Sequence, residues 1–161
     1  LREKIFRPAG MRHSVAFEEG KSVVEPRAFG YSEDGKGRFV RTDQSVTSAV
    51  LGDGGIYSSV EDLAQWERAL RGDDILDDEM KKGAWSIQSH TGAPGEGYGY
   101  GWYIGSFRGL SSQYHTGDSI GFRTCLERFP SRDLAVIVLM NRTEADVQRI
   151  GREIAAAALE G

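Results

Sequence analysis

The sequence predicts an α+β fold in which helices flank one antiparallel β-sheet. Amphipathic helical patterns occupy residues 58–82, strand patterns occupy 98–140, and one further helical pattern closes the chain. The turns between the later strands are too short for a crossover connection, so neighbouring strands are expected to be antiparallel. The chain thus divides into a helical and loop region, 1–97, and a region of sheet strands with a C-terminal helix, 98–161.

Two helices are expected in the first region. Ser58 with Glu61 and Ser59 with Asp62, each pair spaced by three residues, both resemble capping boxes, and the helix that follows is expected to end at Gly72. A shorter helix is expected over 77–82. The remaining short strands and tight turns are expected at 29–31, 38–41 and 52–55.

The second region is expected to contain most of the sheet. Its strand patterns cover 98–104, 113–116, 122–129 and 134–140. The run Leu134–Met140 has no polar alternation, which predicts that both of its faces are covered. The last helix is expected to start near Thr143 and Asp146 and to pack an apolar stripe on the sheet. That stripe consists of Val147, Ile150 and Ile154.

The composition argues against two classes of function. The 161 residues carry a net charge of -4, whereas a nucleic-acid-binding surface needs a basic stripe. The longest apolar run has the length of a strand, far below the roughly 20 residues of a transmembrane helix, so no membrane span is expected. The single cysteine, Cys125, has no partner for an internal disulfide and is expected to fill the core.

Patterns that would indicate other chemistry are coincidental or incomplete. Residues 117–121 match G-x-S-x-G, the nucleophile elbow of α/β-hydrolases, but a strand pattern follows them and no histidine follows His115. His13, His90 and His115 lie far apart without partners at metal-ligand spacing, so no metal site is expected. The segment 95–97 lacks the continuation of a phosphate-binding loop, and no cofactor is expected.

The strongest candidate site is the segment His115-Thr116-Gly117-Asp118. It continues a β-prone run, and a glycine inside a strand often marks a position where another backbone or a ligand comes close. A strand that combines such a glycine with a titratable neighbour suits the edge of a substrate site. The alternative is a plain hairpin that carries a surface histidine.

Several segments, in matching order and spacing, resemble the serine β-lactamase-like superfamily of class C β-lactamases, DD-peptidases and related esterases. They are IFRPAGM (5–11), GDGGIYSSVEDLAQWERAL (52–70), YGYGW (98–102) and HTG (115–117). The last falls where these proteins carry Lys-Thr-Gly, or His-x-Gly in many esterase-like members. The resemblance runs nearly from end to end of the chain.

The resemblance implies an antiparallel sheet with helices on both faces and a mechanism that acylates a serine. In the family this serine belongs to Ser-x-x-Lys, assisted by Tyr-x-Asn or a similar element, and both lie in the N-terminal part. No serine here is followed three residues later by lysine, and no Tyr-x-Asn occurs. We therefore expect this chain to be the C-terminal portion of such an enzyme. Its fold would then lack the N-terminal strands and the nucleophile helix, and the chain would be inactive alone.

The resemblance also implies roles for the candidate segment. The backbone N–H of Asp118 would supply one half of an oxyanion hole, while Gly117 would admit the substrate carbonyl and Thr116 would offer its hydroxyl. His115 would stand near the catalytic tyrosine and any substrate carboxylate. Lysine is charged at pH 7 whereas histidine is largely neutral, and Asp118 is expected to add a negative charge beside it. These features predict a preference for uncharged esters or small amides over penicillin-like carboxylates.

The expected partners are a small ester, amide, β-lactam or peptide substrate and the N-terminal part of the same protein. Without that part, Leu134–Met140 would expose an unpaired apolar edge, which predicts instability or self-association through this strand. Two alternatives stay open: a non-catalytic binding or regulatory module of the same fold, and an unrelated α+β binding domain. The family is often exported, and the sequence itself assigns no compartment.

Overall fold

The computed structural model describes residues 1–43 and 54–160. The described residues contain ten strands: β1 (Val15–Ala16), β2 (Tyr31–Glu33), β3 (Phe39–Arg41), β4 (Ile56–Tyr57), β5 (Ser89–His90), β6 (Gly97–Tyr98), β7 (Tyr103–Phe107), β8 (Leu110–Ser119), β9 (Phe122–Phe129) and β10 (Leu134–Met140). The α-helices are α1 (Val60–Arg71), α2 (Asp78–Ala84) and α3 (Val147–Glu160), and a π-helical turn covers Arg2–Phe6. None of these described helices combines the length and apolar character that crossing a membrane requires. The predicted tight turn at 52–55 lies partly outside the described residues.

Six strands form one antiparallel sheet in the order β10-β9-β8-β7-β6-β5, which confirms the predicted α+β class. Two antiparallel pairs, β1 with β4 and β2 with β3, lie outside this sheet. Strands β9 and β10 have the predicted bounds, and β8 extends beyond the predicted 113–116. The aromatic segment 98–104 is divided between two strands, because a turn with Gly101 at φ +79° separates β6 from β7.

Helix α3 covers one face of the sheet across β9 and β10. The core between them consists of Cys125, Phe129, Val136, Val138, Val147 and Ala155. The predicted stripe is wrong at Ile154, which is 48% exposed. The buried face of the helix passes through Gly151 instead, which packs over Cys125 and Val138. Cys125 fills the core as predicted, and burial raises the pKa of its thiol to about 11.

Helix α1 is tied to the opposite face by a buried ion pair. Arg128 of β9 is 3% exposed and Glu67 of α1 is 5% exposed. Both Nε and Nη2 of Arg128 lie 3.2 Å from Oε1 of Glu67. Arg71 holds the other carboxylate oxygen of Glu67 at 2.5 Å, and the Trp85 ring lies 4.5 Å from the Arg128 guanidinium. Because burial removes both charges from water, each charge is tolerated there only while its partner is present.

The start of α1 agrees with the prediction and also fixes a distant loop. Ser59 caps the helix by accepting a hydrogen bond from the backbone N–H of Asp62 at 3.2 Å. The Asp62 carboxylate accepts hydrogen bonds from the N–H groups of Arg12 and His13, at 3.2 and 2.8 Å, and from the Ser14 hydroxyl at 2.7 Å. Burial alone would raise the pKa of Asp62, but these hydrogen bonds outweigh it and lower the pKa below its usual value.

Strand β10 is the outer strand of the sheet, and β9 is its one strand partner in the part of the chain that the structure describes. Its faces are contacted by α3 on one side and α1 on the other, as the continuous apolar run predicts. The backbone groups on the outer side of Leu134–Met140 are therefore unpaired within the described residues.

Candidate active site

Strand β8 is longer than its neighbour β7, and this leaves part of its backbone unpaired. β7 pairs with residues 110–114 of β8, whereas β9 pairs with residues 113–119. On the β7 side, residues 115–119 therefore have no strand partner among residues 1–43 and 54–160. We call residues 115–119 the open edge. It contains all four predicted site residues.

Two tight hairpins fix which backbone groups the open edge presents. Residues 108–109 connect β7 to β8, and residues 120–121 connect β8 to β9, so each connection is a two-residue loop. The residues that flank such a loop form a hydrogen-bonded pair, and the two kinds of pair then alternate along antiparallel strands. Ser119 and Gly117 therefore bond toward β9. The N–H and C=O groups of Thr116 and Asp118 point outward from the open edge.

Gly117 is required by a contact inside the sheet. It lies directly across from Thr124 of β9, and a Cβ atom at position 117 would overlap the Thr124 hydroxyl oxygen. The close approach that the sequence predicted at this glycine is therefore made by a neighbouring side chain. Thr116 lies across from Cys125, on the other face of the sheet, and is partly buried.

His115 lies against an aromatic wall at the end of β6 and β7. Its Nε2 atom lies 2.9 Å from the hydroxyl oxygen of Tyr98, and its ring centroid lies 5.8 Å from that of Tyr103. The ring of Tyr103 packs on that of Tyr98, with 4.8 Å between the ring centroids, and stacks on that of Tyr114, with 5.0 Å between the centroids. The sequence placed Tyr98 and Tyr103 in one strand pattern. It gave no sign that the Tyr98 hydroxyl reaches the histidine.

Asp118 does not add a negative charge beside His115, so this expectation is wrong. Successive side chains of a strand point to opposite faces, and positions 115 and 118 therefore face different sides of the sheet. The Asp118 carboxylate is also paired with Arg123, whose Nη1 lies 2.6 Å from Oδ1. Arg123 stands directly across from Asp118 in β9, and sequence reasoning did not identify it.

The far end of the open edge is held by a glycine contact and a threonine. Gly121 has φ +83°, and a Cβ atom there would lie 2.6 Å from Cα of Gly30. The N–H of Gly121 donates to the hydroxyl oxygen of Thr143 at 2.9 Å. Thr143 therefore anchors this hairpin and does not cap α3. The cap is Asp146, whose Oδ1 accepts from the N–H of Arg149 at 3.0 Å.

The G-x-S-x-G match at 117–121 is a hairpin, as the strand pattern after it predicted. Ser119 is the last residue of β8, and the chain turns through 120–121 straight into β9. The strand–turn–helix geometry that exposes a nucleophile in an elbow is therefore absent at this motif. Among residues 1–43 and 54–160, no group of three or more His, Cys, Asp or Glu side chains is arranged to bind a metal ion.

A family model described as Beta-lactamase matches residues 1–159. Among curated proteins, the chain is 27% identical over 152 residues to Unguisins hydrolase ungD' of Aspergillus campestris (strain IBT 28561). It is 26% identical over 155 residues to Penicillin-binding protein 4* of Bacillus subtilis (strain 168). Both alignments cover 89% of this chain but only 28% and 34% of these relatives.

Solved structures agree with this match. The octameric penicillin-binding protein homologue from Pyrococcus abyssi has a TM-score of 0.84 at 30% identity, covering 99% of this chain and 36% of that chain. D-amino acid amidase from Ochrobactrum anthropi SV3 has a TM-score of 0.79 at 20% identity, covering 99% and 50%, a likeness of fold alone. Together these matches contradict the alternative of an unrelated α+β binding domain.

Proposed function

The chain belongs to the Beta-lactamase family, and on that premise we propose that it supplies the oxyanion-holding wall of a serine hydrolase that acts through an acyl-enzyme. The observation that carries the proposal is the open edge, where the backbone N–H of Asp118 points outward beside Gly117. Attack on a carbonyl builds negative charge on its oxygen, and two aimed N–H groups stabilise that charge. Asp118 provides one of them, and the nucleophilic serine provides the other.

The serine itself lies outside these 161 residues. None of the serines of this chain begins a Ser-x-x-Lys sequence, and the chain spans 28% and 34% of the two curated relatives. A serine alcohol is a weak nucleophile unless an adjacent base activates it. The 161-residue chain alone is therefore inactive, and activity belongs to a longer protein that contains it.

The substrate is an uncharged ester or a small amide. His115 takes the place of a lysine, so the site lacks the fixed ammonium charge that a lysine would offer to a substrate carboxylate. The Tyr98 hydroxyl occupies one nitrogen of its ring, at 2.9 Å. One similar curated protein carries the name hydrolase, which supports a hydrolytic reaction.

The direct test is hydrolysis of a short-chain nitrophenyl ester and of a cephalosporin by the longer protein, with the 161-residue chain as a control. We expect kcat/KM to favour the ester and the chain alone to be inactive. Labelling by a fluorophosphonate is expected on a serine outside residues 1–161. A clear preference for the cephalosporin would reject the substrate class. Absence of any label would leave the non-catalytic binding module as the function.

A histidine-to-lysine exchange tests the role of position 115. His115→Lys restores a fixed positive charge, so the ratio of cephalosporin to ester turnover is expected to rise about tenfold, equivalent to about 1.4 kcal/mol. The matched control is His90→Lys, which adds the same charge at an exposed residue of β5 and is expected to leave the ratio unchanged. If both variants change the ratio of cephalosporin to ester turnover equally, His115 does not lie in the substrate site.

A further inference from the structure

Arg123 makes three contacts from a single guanidinium nitrogen at the end of the open edge. Its Nη1 lies 2.6 Å from Oδ1 of Asp118, and it donates to the carbonyl oxygens of Ser119 and Phe122 at 2.9 and 2.8 Å. The paired carboxylate and the two carbonyl oxygens that accept hydrogen bonds surround the β8–β9 turn. The guanidinium therefore connects the side chain of Asp118 to the backbone on both sides of that turn.

The contact has an electrostatic consequence for the N–H group of Asp118. This residue would present its N–H to a developing oxyanion, yet its own carboxylate carries a negative charge close to that position. The Asp118 side chain is 75% exposed, whereas that of Arg123 is only 18% exposed, so the arginine is the fixed member of the pair. A paired carboxylate opposes a nearby oxyanion less than a free carboxylate does, because the two opposite charges largely cancel at that distance.

We propose that Arg123 is a positioning residue of the reaction, which neutralises the Asp118 carboxylate and holds the Asp118 peptide so that its N–H can stabilise the oxyanion. This inference rests on the proposed function. Arg123 itself does not touch the substrate. Its effect therefore falls on the transition state more than on substrate binding, and removing it lowers kcat more than it raises KM.

Arg123→Met and its double variant with Asp118→Asn separate this role from simple support of the fold. In the longer protein, Arg123→Met is expected to lower kcat for the nitrophenyl ester at least tenfold. Adding Asp118→Asn to that variant is expected to recover most of the loss, because the unpaired charge is then gone. The control Arg149→Met removes an exposed arginine of α3 that is also paired with carboxylates, and kcat is expected to stay within twofold of the wild type. The proposal is overturned if kcat of the double variant is no higher than kcat of Arg123→Met. It is also overturned if kcat of Arg123→Met stays within twofold of the wild type.

Amide hydrogen exchange at residue 118 gives a second readout that needs no turnover. At neutral pH the exchange is catalysed by hydroxide, so an unpaired carboxylate slows it by repelling the catalyst. Arg123→Met is therefore expected to slow exchange at residue 118 severalfold, and Asp118→Asn in that background to accelerate it again. A purely structural role would loosen the turn and accelerate exchange in Arg123→Met, and this result would overturn the proposal. A protein without hydrolytic activity would reject the proposed function, and the exchange rates would still decide whether Arg123 neutralises Asp118.

Discussion

The hydroxyl oxygen of Tyr98 lies 2.9 Å from Nε2 of His115, so the last residue of β6 holds the first residue of the open edge. The ring of Tyr103 packs against both members of this pair. Its centroid lies 4.8 Å from that of the Tyr98 ring and 5.8 Å from that of the His115 ring. The orientation of the histidine is thus set by side chains from two other strands.

Tyr98→Phe removes this hydrogen bond and keeps the ring. We expect kcat/KM of the longer protein to fall about threefold to tenfold, the equivalent of one hydrogen bond, because the histidine loses its fixed partner. The free energy of unfolding should change by no more than about 1 kcal/mol, the usual contribution of one hydrogen bond. Tyr100→Phe, at a residue that is 66% exposed, is the matched control. Equal kcat/KM values for Tyr98→Phe and Tyr100→Phe would show that the pair of Tyr98 and His115 has no role in turnover.

Gly117→Ala is expected to destabilise the hairpin by about 1–3 kcal/mol, as overpacking of a tight site does. The reason is the overlap of the new methyl group with the Thr124 hydroxyl. In the double variant with Thr124→Ala, the nearest remaining atom of residue 124 is its Cβ at 3.6 Å, an ordinary contact, and most of the stability should return. Urea denaturation of both single variants and the double variant measures this. If the losses in free energy of unfolding of the two single variants simply add in the double variant, the side chains at positions 117 and 124 do not contact each other.

Asp62 is expected to make stability depend on acid pH. Since its folded-state pKa is lowered, its contribution is complete above the ordinary carboxyl pKa and is lost as the pH falls through the lowered folded-state value. Asp62→Asn should therefore cost about 1–3 kcal/mol at pH 7, with the difference from the wild type narrowing in acid. Asp78→Asn, at a side chain that is 98% exposed, is the control. Unfolding curves recorded from neutral to acid pH test this, and a difference that stays constant over that range would exclude the carboxylate as its source.

The outer side of β10 is expected to make the 161-residue chain associate when it is prepared alone. Unpaired backbone along an apolar strand is a template for pairing with another chain. Sedimentation velocity over a range of concentrations should reveal dimers or larger species that increase with concentration. A monomer that melts in one sharp two-state transition would contradict this prediction.

The sequence predicts well those elements whose local pattern agrees with their environment. β9 and β10 have their predicted bounds because short turn segments flank continuous strand patterns. Helix α1 starts at the second of the two predicted caps, Ser59, because a cap is a contact between residues three apart that the sequence shows directly.

Contacts between distant residues could not be predicted in this way. The pair of Glu67 and Arg128 is buried although charged residues usually lie at the surface, and only the packing of α1 on β9 brings the two together. The contact of Arg123 with Asp118 depends on the strand register, which a single sequence does not fix. Ile154 is exposed because the small residues Gly151 and Ala155 set the rotation of α3.

The measurement that tests the central claim most directly is the structure of a phosphonate adduct of the longer protein. The account predicts that the phosphorus is bound to a serine outside residues 1–161, with its anionic oxygen about 3 Å from the backbone nitrogen of Asp118. An adduct on a serine within these residues would contradict the account. So would an anionic oxygen bound away from the open edge.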